Sequence, residues 1–155
     1  LIRDENARYF MDFLAIERAL MDGAKLVMLC NPHNPVSRLW SREELLSLVS
    51  LVNKYRAVLV SDEIHADFVY KPGAFTPILS LPEARNCAVA LLSASKTFNI
   101  AGLQQSEAAS LNPDLLDAIK KTANANGATS GNTFALCATR AAYNECDDWL
   151  DALNV

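Results

Sequence analysis

The chain has 155 residues, of which 51% are hydrophobic and 21% are charged, and its formal net charge is −4. This composition is typical of a globular domain and excludes a disordered or fibrous chain. The negative charge and the lack of a basic cluster argue against nucleic-acid binding, and no apolar run reaches membrane-spanning length.

The four cysteines are widely spaced and form no C-x-x-C pair, and the chain contains only two histidines. This pattern argues against a zinc site and favours free thiols in the cytoplasm. The N-terminus lacks a signal-peptide pattern, and the chain starts with Leu1 instead of Met. We therefore expect it to be a piece of a longer protein.

The N-terminal part of the chain predicts a helix, a buried strand and a loop. Residues 9–13 suit a short extended segment, and apolar residues then recur at helical spacing over residues 15–21, with Gly23 suited to a C-cap. Residues 25–30 form a continuous apolar run, which is typical of a buried parallel strand. The two prolines of the motif NPHNP at residues 31–35 predict a rigid loop.

A second helix and a second strand follow this loop. Ser41 and Glu44 form a capping box, which predicts a helix from residue 42 to about Tyr55. Residues 57–61 are a second short apolar run and predict another buried strand.

The remaining residues predict a long loop, two strands and two helices. Residues 66–86 are rich in proline and predict a loop with one helical turn, and residues 87–92 predict the third buried strand. A fourth strand at residues 104–110 comes too soon for a crossover helix, so we expect it to be antiparallel. Helical spacing predicts helices over residues 114–123 and 133–153.

This order of elements predicts an α/β fold with three layers, in which helices flank a mostly parallel sheet. Ligands bind such sheets beyond the carboxyl ends of the strands. Polar groups capable of chemistry follow all three strands: Asn31, His33 and Asn34 after the first, Asp62 and His65 after the second, and Ser93, Ser95 and Lys96 after the third. The sequence therefore predicts a site at this edge.

Lys96 is the candidate covalent catalyst, because it lies among small and hydroxyl residues directly after the third strand. A lysine that forms a Schiff base needs a partly unprotonated amine, so burial or a nearby cation must lower its pKa. We expect the flanking Ala94, Phe98 and Ile100 to allow that burial. A cofactor ring would supply the cation.

The neighbouring strand ends offer partners for such a ring. A carboxylate such as Asp62 would hold a protonated ring nitrogen, and a contact pair of this kind is worth about 4 kcal/mol at an effective dielectric near 20. Asn34 would donate to a ring phenolate oxygen, and the hydroxyls of Ser93 and Ser95 would donate to a phosphate.

Each of these residues also has an ordinary explanation. A lysine after a strand is usually a solvated charge, and Asp62 with Glu63 suits a polar strand end. Residues 31–35 suit a plain turn whose asparagines bond their own backbone. Only their joint occurrence at successive strand ends favours a site.

Three motifs carry a resemblance to a known family: NPHNP at residues 31–35, SDEIH at residues 61–65 and SASKTFNIAGL at residues 93–103. Together they resemble the fold-type I pyridoxal-phosphate enzymes of the class I/II aminotransferase superfamily. The NPHNP and DEIH forms resemble most the cystathionine β-lyase-like C–S lyases, the subgroup that includes the maltose-regulon modulator. The resemblance covers nearly the whole chain and implies a partial large domain of the PLP-dependent transferase fold.

The resemblance implies pyridoxal 5'-phosphate as cofactor and six residues around it: Lys96, Asp62, Asn34, His65, Ser93 and Ser95. Lys96 would bond to the cofactor and later shuttle a proton at the substrate α-carbon, and Asp62 would pair with the pyridine nitrogen. Asn34 would bond the phenolate oxygen, near which His65 replaces a tyrosine of many relatives. Ser93 would contact the phosphate with help from Ser95.

The implied reaction is α,β-elimination from a small amino-acid substrate, an L-cysteine conjugate such as cystathionine, which gives a thiol, pyruvate and ammonia. The enzyme would be a cytoplasmic homodimer with sites near the subunit interface. The alternatives are an aminotransferase, a non-catalytic regulatory protein or an inert fragment on the same scaffold.

Three residues depart from the pattern of the family. Gln104 stands where aminotransferases place an arginine eight residues after the lysine, which favours the lyase subgroup. Ser37 replaces a glycine and would be strained if the loop requires a positive φ. Glu107 replaces an apolar residue, and a buried, unpaired carboxylate at that position would be costly.

Members of the family are considerably longer than this chain. The resemblance therefore implies that residues 1–155 are the central part of a cofactor-binding large domain, without its N-terminal segment and the C-terminal small domain. We expect the isolated chain to bind cofactor poorly and to show no measurable turnover.

Overall fold

The computed structural model describes residues 1–129 and 131–154. The strands are β1 (Ile2–Arg3), β2 (Tyr9–Phe10), β3 (Leu26–Cys30), β4 (Val58–Asp62), β5 (Ala88–Leu92) and β6 (Glu107–Ala109). The helices are α1 (Phe13–Met21), α2 (Arg42–Lys54), α3 (Ala94–Thr97), α4 (Pro113–Ala125), α5 (Thr133–Glu145) and α6 (Asp147–Leu153). Short 3₁₀ turns occupy Ile78–Ser80, Pro82–Ala84 and Ala101–Leu103. Among the described residues, no helix is both long and apolar enough to cross a bilayer.

A four-stranded mixed sheet with the order β3-β4-β5-β6 forms the centre of the fold. The first three strands are parallel, and β6 is antiparallel to β5, as the short connection predicted. In this register Cys30 pairs with Asp62, and Asp62 pairs with Leu91. The carboxyl ends of β3, β4 and β5 therefore lie at one edge. The α/β class with a mostly parallel sheet and flanking helices is confirmed.

The core lies between α2 and one face of the sheet. The capping box of α2 is present: Ser41 Oγ accepts from the Glu44 backbone N–H, and the Glu44 carboxylate accepts from the Ser41 backbone N–H. Because buried leucines and valines recur at helical spacing, α2 presents one apolar face to the sheet. The buried residues of this helix are Leu45, Leu48, Val49 and Val52.

The prediction of one helix over residues 133–153 is wrong, because two helices occupy this segment. Cys146 separates α5 from α6 with φ −119° and ψ 27°, which lies outside the helical region. Asp147 and Asp148 then lie in the first turn of α6, where negative charge is favourable. The apolar residues have helical spacing on both sides of Cys146, so the sequence pattern did not indicate the break.

Ser37 has φ 52°, so the predicted strain at this position is present. We expect Ser37→Gly to raise the free energy of unfolding by about 0.5–1 kcal/mol, because glycine adopts positive φ without a Cβ clash. Urea unfolding of both proteins would measure the difference. Ser50→Gly on the exposed face of α2 is the matched control and should lower stability by about 0.5 kcal/mol. An unchanged or lower stability of Ser37→Gly would contradict the strain.

Candidate functional site

Asp62 is the last residue of β4 and is half-buried at the carboxyl edge of the sheet. Its Oδ1 accepts a hydrogen bond from the Ile64 backbone N–H at 3.2 Å, and its carbonyl accepts one from the Asn31 N–H at 2.9 Å. Its Oδ2 receives no hydrogen bond from the residues that the structure describes. One carboxylate oxygen is thus fixed by the backbone, and the other remains available to a ligand.

Glu63 has a structural role that the motifs did not indicate. Its side chain is 3% exposed, and its Oε1 accepts from Ser61 Oγ and from the Ile78 backbone N–H, each at 2.9 Å. Burial raises the pKa of Glu63, and the two hydrogen bonds oppose that rise. Glu63 therefore ties the end of β4 to the turn Ile78–Ser80. Alternation along the strand places Glu63 on the same face as Ser61. This spacing was the sequence feature that could have indicated their hydrogen bond.

The loop that follows β3 carries Asn34 at an exposed position. Asn31 at its start is fully buried and donates through Nδ2 to the Thr76 carbonyl at 3.3 Å, while its Oδ1 has no partner among the described residues. Both Asn–Pro bonds of the loop are cis. The loop is thus anchored at its base and presents Asn34 to the surface.

Asn34 and His65 line one cleft of about 510 Å³. The His65 ring packs on Phe68 with 5.8 Å between the ring centroids. His33 lines the same cleft, and burial lowers its pKa, which favours the neutral imidazole. The two predicted residues therefore come together, but neither Asp62 nor Lys96 belongs to the lining of this cleft.

Lys96 lies on α3, the short helix that follows β5. Ala94 and Thr97 occupy the two buried positions of this turn, so Lys96 falls on the exposed side. The expected burial of Lys96 is therefore wrong for this chain. Its amine forms no ion pair with any residue that the structure describes.

Ser93 and Ser95 lie close together, but their hydroxyls are engaged within the protein. Ser93 Oγ accepts from the Ser95 backbone N–H at 3.1 Å and donates to the Gln105 carbonyl at 2.7 Å. Ser95 Oγ lies 2.8 Å from Ser93 Oγ and 3.3 Å from the same carbonyl. A phosphate would have to compete with these bonds for the hydroxyl protons, so the phosphate roles of the two serines stay predictions.

A bond between Thr97 and Asp67 supports this region and was not predicted. Thr97 is buried, and its Oγ1 donates to Asp67 Oδ2 at 2.7 Å. The bond joins the helix of Lys96 to the segment that follows His65. The two residues are thirty positions apart, and no local pattern indicates such a contact.

The remaining departures from the family pattern lie on the surface. Gln104 is exposed and left-handed, with φ 56° and ψ 48°. Glu107 is exposed and accepts from Gln105 Nε2 at 3.2 Å. The expected cost of a buried, unpaired carboxylate is therefore wrong, because the side chain points away from the core on a short edge strand.

Known proteins share this arrangement of sequence and fold. The family model for aminotransferase class I and II matches residues 2–152. Cystathionine beta-lyase PatB of Bacillus subtilis is 42% identical over 154 residues, which are 97% of this chain and 39% of that protein.

Two solved structures agree with this match. Cystalysin of Treponema denticola, whose crystal contains pyridoxal 5'-phosphate, is 32% identical with a TM-score of 0.92, over 98% of this chain and 39% of that one. The PLP-bound C–S lyase of Staphylococcus hominis is 34% identical with a TM-score of 0.87, over 97% and 38%. The chain spans about two fifths of the length of each of these relatives. By the family match and these identities, the chain belongs to the aminotransferase class I and II family.

Proposed function

We propose that this chain is the central part of the cofactor-binding domain of a pyridoxal-phosphate-dependent C–S β-lyase. Its substrate would be L-cystathionine or a related L-cysteine conjugate, which it would split into a thiol, pyruvate and ammonia. One observation carries the proposal: Asn34, Asp62 and Lys96 lie at or just after the carboxyl ends of three adjacent parallel strands, in a chain 42% identical to a cystathionine β-lyase.

The residues at this edge fit the proposed cofactor. Asp62 offers an unengaged carboxylate oxygen that suits a protonated ring nitrogen, and its other oxygen is held by Ile64. The exposed Lys96 amine has no described ion-pair partner that would compete for it. The Asn34 amide and the His65 imidazole share a cleft in which they would contact the ring's phenolate oxygen.

The bound cofactor would supply an electron sink for the substrate's α-carbon. Asp62 would keep the ring nitrogen protonated through its negative charge, and Asn34 would orient the ring by donating to its phenolate oxygen. Lys96 would hold the cofactor through its amine and would take the proton from the substrate's α-carbon as general base. The exposed position of Lys96 supports the expectation that the isolated chain binds the cofactor weakly.

A comparison of two reactions tests the proposal against the aminotransferase alternative. The full-length protein, loaded with pyridoxal 5'-phosphate, would be incubated with L-cystathionine and, separately, with an L-amino acid and 2-oxoglutarate. We expect pyruvate and free thiol from the first reaction. Glutamate formation without thiol release would contradict the lyase and identify an aminotransferase. A loaded protein that forms neither product would support a non-catalytic role.

We further propose that the full-length protein is a cytoplasmic homodimer. Large apolar side chains are exposed on α5 and α6, where Phe134 is 77% and Trp149 47% exposed, and a second subunit would cover them in the proposed dimer. All four cysteines are free thiols, as a reducing compartment requires. Light scattering would measure the mass of the full-length protein, and a monomer at micromolar concentration would contradict the dimer.

A further inference from the structure

Arg38 is a buried cation at the end of the loop that carries Asn34. It is 8% exposed, and each of its guanidinium nitrogens has its own acceptor. Nε donates to the Tyr9 carbonyl at 2.6 Å, Nη1 to the Leu39 carbonyl at 3.0 Å and Nη2 to Glu44 Oε1 at 2.5 Å. Arg38 thereby joins β2, its own loop and the capping box of α2.

The same guanidinium also stabilises the start of the loop through Trp40. It lies 4.5 Å from the centroid of the Trp40 ring, and Trp40 Nε1 donates to the Cys30 carbonyl at the end of β3 at 2.8 Å. His33 N–H donates to the Arg38 carbonyl at 2.7 Å, which closes the loop. The guanidinium therefore reaches the start of the loop through Trp40, and the Arg38 carbonyl holds His33, the residue before Asn34.

We propose that Arg38 is a positioning residue for Asn34 in the cofactor site, an inference that rests on the proposed function. Nε, Nη1 and Nη2 each donate to a protein oxygen, so the guanidinium is held in place by β2, its own loop and α2. It fixes the two ends of the loop, so that the Asn34 amide is held where it donates to the phenolate oxygen of the cofactor. Lysine cannot replace it, because a single ammonium lacks the planar fork that reaches Tyr9, Leu39 and Glu44 together.

The pH at which the visible band of the bound cofactor changes reports on this amide. A hydrogen bond to an anionic oxygen favours its deprotonated form, so loss of the bond moves the midpoint upward. In the full-length holoenzyme we expect Asn34→Ala to raise the midpoint by about one pH unit and Arg38→Met to raise it by at least about half a unit. The double variant should shift no further than Asn34→Ala, because both changes remove the same bond. Arg38→Lys should not restore the midpoint.

Two other variants keep the test decisive if Arg38→Met fails to fold. Glu44→Gln leaves Arg38 in place, weakens one of its contacts and should give a smaller shift in the same direction. Lys54→Met removes a different ion pair on α2, the 2.6 Å contact with Glu17, and should leave the midpoint unchanged. A lower melting temperature without any shift in Arg38→Met, or in Glu44→Gln if that variant alone folds, would overturn the positioning role.

The outcomes also separate this inference from the proposed function. A wild-type protein without a visible cofactor band would contradict the cofactor site itself. A wild-type band that Asn34→Ala leaves unshifted would contradict the role of Asn34 and overturn this inference with it. A shift for Asn34→Ala but none for Arg38→Met would overturn only the role of Arg38.

Discussion

Replacing Lys96 by alanine in the full-length protein should reduce pyruvate release from L-cystathionine by at least about 10³-fold. The substitution removes both the amine that would hold the cofactor and the base that would take the substrate's proton. Because Lys96 is exposed on α3 and has no described ion-pair partner, its removal should leave the free energy of unfolding of the cofactor-free protein within about 0.5 kcal/mol of the wild type. Activity and stability should therefore separate, which steady-state kinetics and urea unfolding would measure.

The control for Lys96→Ala is Lys120→Ala. Lys120 is an exposed lysine on α4, and its loss should leave pyruvate release unchanged. The cofactor band offers a second measurement, since Lys96→Ala should alter the visible spectrum and Lys120→Ala should not. Comparable activity of the two variants would show that Lys96 is a solvated surface charge and would remove the basis of the lyase proposal.

Asp62→Asn should lower kcat/KM for cystathionine by about 10²- to 10³-fold. The amide keeps the shape of the side chain and the oxygen that accepts from the Ile64 N–H. It loses the negative charge, and a contact ion pair is worth up to about 4 kcal/mol at an effective dielectric near 20. The fold should be preserved, so the loss would fall on the electron sink and not on the domain.

Asp117→Asn on the exposed surface of α4 is the matched control and should leave kcat/KM unchanged. Circular dichroism would verify that both variants are folded. If Asp62→Asn kept at least half of the wild-type kcat/KM, the carboxylate would be only the polar end of β4. The assignment of Asp62 to the ring nitrogen would then be wrong.

Local patterns predicted the elements that surround the site. The apolar runs that became β3, β4 and β5 are short and bounded by polar residues, so the sequence indicated both the strands and the edge at which they end. The capping box at Ser41 and Glu44 needs only residues three positions apart and was predicted correctly. The question of a positive φ at Ser37 arose from the glycine that the family has at this position, and the structure shows that the φ is positive.

The side-chain environment of the site could not be predicted in the same way. Lys96 was expected to be buried because its neighbours are apolar, but in the single turn of α3 the buried positions went to Ala94 and Thr97. Glu63 looked like part of a polar strand end, yet its partner Ile78 lies fifteen residues away. The break at Cys146 likewise depends on backbone angles that apolar periodicity does not record.

Local residue patterns and motifs were enough to predict the class of fold, the polar residues at the strand ends and the resemblance to a family. The strands and their polar ends depend on hydrogen bonding and burial within a few residues, and the motifs are short stretches of contiguous sequence. Both can therefore be recognised from the order of the residues alone. The packed structure was needed to show that Asn34 shares a cleft with His65 and that Arg38 joins Tyr9 to Glu44. The residues in these contacts lie far apart along the chain or belong to different elements. They come within contact distance only after the sheet and the helices have packed.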